Sequence, residues 1–191
     1  MEMKRQIIWS NLTSTGLEHF QLSSRNNEII ADGIVIGVEQ DVAFRIRYEI
    51  ICDIHWQVRK VTVTSLAEKG QTICLVTDGS GNWTNETGEE IPAFLGCLDV
   101  DIRITPFTNT LPIRRLRLPE GQSSEIKVVY IDIPGMQLSV KPQRYTCLEI
   151  KENESKYKFE SLDADFTAIL TVDADKLVKD YPALFQCVWA E

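Results

Sequence analysis

Apolar and polar residues alternate with a period of two along most of the chain. From Val42 to Ile54 the apolar side chains occupy every second position, and the positions between them are mostly charged or polar. Successive side chains of a β-strand point to opposite faces, so this pattern predicts a long strand with one buried and one solvated face. The segment "TICLVTDGSGNWT" predicts two strands joined by a tight turn, in which Gly79 and Gly81 adopt positive φ. Further strands are expected in "GIVIGV", in "WQVRKVTVTS" and over residues 98–105, 125–133, 136–150, 156–160, 167–173 and 185–189.

Helical periodicity is confined to one segment near the end of the chain. In "DADKLVKDYP", Asp173 or Asp175 can cap a helix and Pro182 can end it. The predicted fold class is therefore mainly β, with one short C-terminal helix. Roughly ten to fourteen turn-separated strands favour a many-stranded antiparallel β-barrel or spiral β-roll, because closing or wrapping a sheet protects its edges. The length of 191 residues suits a single domain spanning residues 1–191.

Charge and composition narrow the function. The net charge of −8 and pI near 4.9 argue against a nucleic-acid partner, which needs a basic surface. No stretch approaches the ~18 apolar residues of a membrane span, and the N-terminal segment has no secretion-signal pattern, so we expect a cytoplasmic protein. The five cysteines are widely spaced among apolar neighbours, which predicts small core residues rather than a zinc or redox site. No cofactor is indicated, and the sequence leaves the oligomeric state open.

The densest group of candidate functional residues lies in "GCLDVDIRITPFTNTLPIRRL", residues 96–116. Asp99, Asp101 and Arg103 share one parity, so on a strand they form a charged row with a spacing of about 7 Å. If that face lines a barrel interior, the carboxylates need partners, which Arg114 and Arg115 can supply if a turn at residues 106–112 folds the chain back. Within that turn, Thr108 and Asn109 can bond their own backbone and hold a rigid polar loop, although a purely structural corner explains these residue types equally well.

The same segment resembles a bacterial family described as putative glycolipid-binding proteins. The resemblance continues through Trp9, residues 17–18, "YEIICDIHWQVR", "DGSGNW", "YIDIP", "FTAILTVD" and "DYPAL", and so covers nearly the whole chain. The tail departs from the family pattern at Ala183, Phe185 and Cys187. The resemblance implies a β-barrel or spiral β-roll similar in shape to periplasmic lipoprotein carriers of acyl chains. This chain has neither the lipoprotein signal nor the cysteine anchor of those carriers, so we expect no periplasmic shuttle.

Three functional interpretations remain open at this stage. In the first, the barrel interior binds a small amphipathic or anionic ligand. Trp9, Trp56, Trp83 and Tyr145 would form the apolar walls in this interpretation, although each tryptophan fits a core position as well. The polar group of the ligand would contact these ligand-binding candidates: Asp53, Trp56, Arg59, Asp99, Asp101, Arg103, Thr108, Asn109, Arg114 and Arg115.

The second interpretation is a divalent-metal-dependent phosphohydrolase acting on a nucleotide or another phosphate ester. Asp99 and Asp101, with Asp53 or Asp132, would supply oxygen ligands, and arginines would stabilise phosphate charge. The sequence contains no Ser/His/Asp or Cys/His nucleophile pattern, and "DGSGNW" predicts a hairpin rather than a phosphate loop. In the third interpretation the chain is a purely structural or protein-interaction domain whose Asp–Arg network holds the barrel shut.

Overall fold

The computed structural model describes residues 4–39 and 41–191. Residues 1–3, the start of the N-terminal segment considered above, lie outside the described part. The described chain is mainly β, and its strands form one sheet of 14 strands. The strands are β1 (Lys4–Asn11), β2 (Gly16–Arg25), β3 (Glu28–Glu39), β4 (Val42–Asp53), β5 (Val58–Ser65), β6 (Thr72–Thr77), β7 (Trp83–Asn85), β8 (Asp99–Ile102), β9 (Ser123–Asp132), β10 (Gln137–Ile150), β11 (Glu154–Ser161), β12 (Phe166–Asp173), β13 (Val178–Tyr181) and β14 (Phe185–Ala190).

The strand order shows that the sheet is not closed into a barrel. It runs β7-β6-β5-β4-β3-β2-β1-β14-β13-β12-β11-β10-β9-β8, so the first seven strands and the last seven meet where β1 pairs with β14. The edge strands β7 and β8 are not joined by a ladder, although β8 also packs against β5. The expectation of a closed barrel is therefore wrong. The expectation of a purely antiparallel sheet is also wrong, because β8 pairs with β9 in parallel, with Asp101 opposite Tyr130.

Most of the strands predicted from alternation are present. On β4 the side chains of Ile46, Tyr48, Ile50 and Cys52 are buried, while the residues between them lie at or near the surface. The predicted hairpin joins β6 to β7, with φ of 82° at Gly79 and 94° at Gly81. The alternation of apolar and polar residues is sufficient to predict these strands, because the sheet has one face toward the interior.

The predicted C-terminal helix is absent. Residues 174–177 instead form the turn from β12 to β13, at which the Asp173 carboxylate accepts a hydrogen bond from the backbone N–H of Leu177 at 2.9 Å. Lys176 adopts a φ of 65°, which an α-helix does not contain. An aspartate that bonds the backbone ahead of it offers an alternative to the helix, and the buried side chains of Val178 and Tyr181 then enter the sheet as β13.

The helix lies instead in the segment that we expected to be a turn. After β8, a short 3₁₀-helix (Phe107–Asn109) leads into α1 (Thr110–Leu116). Pro112 is tolerated because it lies in the first turn of α1, where its missing N–H breaks no intrahelical bond. The other 3₁₀-helix spans Pro92–Phe94.

Residues 104–113 are buried between the two parts of the sheet. Phe107 stacks on Phe20 with ring centroids 4.6 Å apart, and Phe20 in turn contacts Trp9 at 5.1 Å. The Thr110 hydroxyl donates to the carbonyl of Lys176 at 2.8 Å, which joins the buried segment to the second part of the sheet. We call residues 104–113 the inserted segment; it supports one side of the pocket described below.

Three of the five cysteines, Cys52, Cys97 and Cys147, are buried, as the apolar context predicted, and Cys74 and Cys187 are partly exposed. None of the helices in residues 4–39 and 41–191 is long and apolar enough to cross a membrane.

Candidate functional site

A pocket of about 380 Å³ lies where the two parts of the sheet face each other. Its lining comes from β1, β3 and β4, from β8 to β14, and from the segment that follows β8. The volume falls within the ~300–1,000 Å³ typical of small-molecule sites. The residues that line it are Asn11, Thr13, Glu39, Phe44, Asp101, Arg103, Ile104, Thr105, Asn109, Tyr130, Lys141, Gln143, Phe159, Ser161, Asp163, Ala164, Phe166, Tyr181, Leu184 and Phe185.

Aromatic side chains form one wall of the pocket. Phe159 and Phe166 lie 6.0 Å apart between ring centroids, and Tyr181 lies 6.3 Å from Phe159 and 6.1 Å from Phe185. All four side chains come from strands β11 to β14. Such a wall offers apolar surface and π-faces, to which a hydrocarbon chain or the apolar face of a ring can bind.

Hydrogen-bonding groups form a second surface, which we call the polar floor. It consists of Asp101, Asn109 and Gln143, which line the pocket, and of Thr108, which is bonded to Asp101 from behind. The Asp101 carboxylate accepts hydrogen bonds from the Thr108 hydroxyl at 3.1 Å and from Gln143 Nε2 at 2.7 Å. The Asn109 side chain accepts from the Tyr145 hydroxyl at 2.9 Å and donates to the Pro106 carbonyl at 3.1 Å. These bonds fix the orientation of the floor before any ligand arrives.

The polar floor contains one buried acceptor without a hydrogen-bond partner and one buried carboxylate without a cation beside it, among the described residues. Gln143 is only 3% exposed, and its Oε1 atom has no hydrogen-bond partner in the part of the chain that the structure describes. Among residues 4–39 and 41–191, no cation lies within ion-pair distance of the Asp101 carboxylate, and burial raises the pKa of Asp101 above its usual value. Leaving a buried acceptor unpaired costs free energy, so an unpaired acceptor in the pocket lining indicates a position where a ligand can donate a hydrogen bond.

Charged groups at the pocket wall are already paired. Arg103 contacts Glu39 at 3.1 Å and Asp132 at 2.8 Å, and it also donates to the Ile133 carbonyl. Lys141 contacts Asp163 at 2.6 Å. Arg103 therefore does not continue the aspartate row, because β8 ends at Ile102 and the arginine turns toward β3 and β9.

The pair formed by Asp99 and Arg115 lies in the core, outside the pocket lining. Asp99 is 1% exposed, and Arg115 of α1 approaches both of its carboxylate oxygens, with Nη2–Oδ2 at 2.6 Å and Nε–Oδ1 at 3.2 Å. Burial raises the pKa of Asp99, and the Arg115 guanidinium opposes that effect. The pair joins β8 to α1 and so holds the inserted segment in place.

Arg114 points away from Arg115. Its guanidinium carbon lies 4.0 Å from the centre of the Trp56 ring, and its Nε donates to the Asp175 carbonyl at 2.7 Å. Burial lowers the pKa of Arg114. The Trp56 ring is itself buried, so this arrangement joins α1 to the loop after β4 and to the β12–β13 turn.

Asp53 and Arg59 form an ion pair that stabilises two neighbouring turns and does not line the pocket. Asp53 accepts the backbone N–H groups of His55 and Gln57 and pairs with Arg59 at 2.6 Å, while Arg59 also donates to the Asp78 carbonyl. These bonds hold the turn between β4 and β5 against the turn between β6 and β7.

The tryptophans proposed as pocket walls do not line the pocket. Trp9 and Trp83 are buried, and their indole N–H groups donate to the carbonyls of Val178 at 2.7 Å and Cys97 at 2.8 Å. Tyr145 is also buried and reaches the pocket only through its bond to Asn109.

The metal-site hypothesis is not supported by the arrangement of the carboxylates. Asp53, Asp99 and Asp132 each pair with a different arginine, and Asp101 is bonded to Thr108 and Gln143. Within residues 4–39 and 41–191, no group of three or more histidine, cysteine, aspartate or glutamate residues is placed to hold a metal ion. The four aspartates therefore do not form the oxygen cluster that the phosphohydrolase interpretation required.

Of the sequence-predicted site residues, the structure brings Asp101, Arg103 and Asn109 to the pocket, with Thr108 directly behind Asp101. The aromatic wall and Gln143 were not predicted. Gln143 had a recognisable signal, because it shares the buried parity of β10 with Tyr145 and Cys147, where an uncharged polar side chain is unusual.

Comparison with known proteins supports a family assignment. The chain is similar to a protein of the DUF1089 family from Pseudomonas aeruginosa, whose crystal structure superimposes with a TM-score of 0.81 at 34% sequence identity and covers 91% of this chain and 92% of that one. A search of curated proteins found no match. The sequence model of a family described as "Putative glycolipid-binding" matches residues 6–187. The chain therefore belongs to the putative glycolipid-binding family.

Proposed function

We propose that this protein binds one small amphipathic ligand in the pocket between the two parts of the sheet. The observation that carries the proposal is the direct apposition of the aromatic wall to the polar floor within a single volume of about 380 Å³. An apolar segment of a ligand gains by leaving water along the wall, at about 0.8 kcal/mol for each buried CH₂ group. The polar end is then fixed in orientation by the few hydrogen-bonding groups of the floor.

The family description supports a binding role, since it concerns the same nearly complete chain. We also propose that the open sheet curls as a roll around the pocket, which the packing of β8 against β5 supports. The phosphohydrolase interpretation is not retained, because its aspartates are separately bonded. The single domain and the cytoplasmic location remain predictions from the sequence.

Native mass spectrometry of protein purified from cells tests the proposal, together with mass spectrometry of its organic-solvent extract. We expect a stoichiometric small molecule to leave the protein on denaturation. Ala164→Trp places a bulky ring at the pocket lining and should abolish this co-purification. Ala67→Trp is the matched control, because Ala67 is also exposed but lies in the β5–β6 turn and does not line the pocket.

Co-purification that survives Ala164→Trp and equals that of Ala67→Trp would contradict the pocket as the site. If no molecule co-purifies, the protein is titrated by calorimetry with n-octyl β-glucoside, n-octylammonium and n-octyl phosphate. Absence of saturable binding of all three ligands would contradict the proposed function itself.

A further inference from the structure

The polar floor carries information about the chemistry of the ligand beyond its amphipathic character. Gln143 Nε2 is already committed to Asp101, so the free Oε1 atom beside it is an acceptor and not a donor. Gln143 is 3% exposed and is one of the residues that line the pocket. The group that satisfies Oε1 must therefore present an O–H or N–H bond.

The charges of the pocket lining also favour a ligand group that donates hydrogen bonds. The ionisable side chains of the lining that carry negative charge are Glu39, Asp101 and Asp163, and those that carry positive charge are Arg103 and Lys141. Arg103 and Lys141 are occupied by Glu39 and Asp163 respectively. Among the described residues, only neutral donors contact the Asp101 carboxylate, so no cation balances this carboxylate when it is ionised.

An anionic headgroup at this floor is disfavoured for two reasons. A carboxylate or a fully ionised phosphate has only acceptor oxygens and therefore cannot satisfy Gln143 Oε1. It would also lie against the Asp101 carboxylate in a partly desolvated site, where like charges repel strongly. Of the four arginines among the ligand-binding candidates, Arg59, Arg114 and Arg115 lie outside the pocket lining. The fourth, Arg103, lines the pocket but is paired with Glu39.

We infer that the pocket selects ligands whose inner polar group is a hydrogen-bond donor without negative charge, seated on Gln143 Oε1 and Asp101. This inference rests on the proposed function and specifies its ligand class. A hydroxyl-rich neutral group, such as a sugar or polyol, and an ammonium group share this donor chemistry. The aromatic wall holds the hydrocarbon part of either ligand.

A series of ligands with the same hydrocarbon chain tests the inference on the unsubstituted protein. n-Octyl β-glucoside, n-octylammonium and n-octyl phosphate differ only in the polar group and are titrated by calorimetry below their micelle concentrations. We expect at least one of the two donor ligands to bind at least tenfold more tightly than the phosphate. Preference for the glucoside identifies a hydroxyl donor, preference for the ammonium identifies a cationic donor, and both outcomes support the inference.

The phosphate binding as tightly as the better donor ligand, or more tightly, overturns the inference and leaves the proposed function standing. Failure of all three ligands to bind overturns the proposed function, and the inference with it. The two failures are therefore distinguishable.

A substitution on β10 examines the role of Gln143 directly. Gln143→Met keeps a similar side-chain length but removes the acceptor, and it should weaken the preferred donor ligand at least tenfold. Octyl phosphate should lose much less. Gln137→Met is the control, because Gln137 is exposed on the same strand and is absent from the pocket lining. Equal affinity of the donor ligand for both folded variants overturns the inference; the ligand series still decides the question if Gln143→Met does not fold.

Discussion

Replacing Arg115 by leucine is expected to destabilise the protein by removing the partner of a buried carboxylate. Asp99 is 1% exposed, and Arg115 supplies its ion pair, with contacts to both carboxylate oxygens. Breaking a buried pair from one side typically costs about 3–5 kcal/mol, because the remaining charge is left without compensation. Against a total stability of about 5–15 kcal/mol, such a loss is readily measured.

The loss should depend on pH with a definite sign. Burial already raises the pKa of Asp99, and without Arg115 that pKa rises further. The folded variant then retains a proton at pH values where the unfolded chain, with an aspartate pKa of about 3.9, has released it. The variant therefore loses stability as the pH rises from about 4 through the raised pKa of folded Asp99, and its deficit relative to the unsubstituted protein is larger at pH 8 than at pH 5.

Urea unfolding at pH 5 and pH 8, with linear extrapolation to water, measures both the loss of stability and its dependence on pH. The double variant Asp99→Leu/Arg115→Leu should recover much of the stability, because no unpaired charge remains. Arg47→Leu is the surface control, since its pair with Asp32 is 55% exposed on the arginine side and should be worth about 0–1 kcal/mol. A deficit for Arg115→Leu no larger than that of the surface control, and constant with pH, would refute the reasoning.

Three further substitutions test other parts of the structure. Glu18 is 2% exposed and burial raises its pKa to about 8, so the folded state keeps a proton that the unfolded state releases near pH 4.5. At about 1.4 kcal/mol for each pH unit, the free energy of unfolding should fall by up to about 5 kcal/mol between pH 4.5 and pH 8. Glu18→Gln should remove that slope in pH-dependent urea unfolding, and an unchanged slope would contradict the assignment. Gly33→Ala should cost about 1–3 kcal/mol in the same assay because its Cβ would overlap the Tyr48 ring, and a neutral effect would show that the ring can move. Arg114→Gln should cost about 1–2 kcal/mol and shift the fluorescence of Trp56, since the guanidinium no longer lies over the indole; an unchanged emission spectrum would count against that contact.

The parts of the fold that depend on neighbouring residues were predictable from the sequence. The alternation along β4 and the glycine turn between β6 and β7 are local patterns, and the structure contains both. The C-terminal helix was mispredicted because the apolar spacing of Leu177 and Tyr181 suits a helix, whereas the Asp173 carboxylate stabilises a turn. Helix α1 was missed because seven residues containing Pro112 show no helical periodicity.

The site was only partly predictable because its walls come from distant parts of the chain. Asp101 and Asn109 were identified from one polar segment, and both reach the pocket. Phe159 and Tyr181 reach the same pocket only because β1 pairs with β14, which brings the second part of the sheet opposite the first. Nothing in the local sequence of β11 or β13 indicates that pairing. The destinations of the neighbouring Arg114 and Arg115 likewise depend on α1, whose helical turn directs them to different partners.

A crystal structure of the protein with the tighter-binding of n-octyl β-glucoside and n-octylammonium, soaked below its micelle concentration, tests the central claim most directly. The account predicts ligand density within the pocket, with the octyl chain along Phe159 and Tyr181 and the hydroxyl or ammonium group within hydrogen-bond distance of Gln143 Oε1. Ligand bound elsewhere, for example on the exposed Trp189 of β14, with the pocket free of ligand, would contradict it.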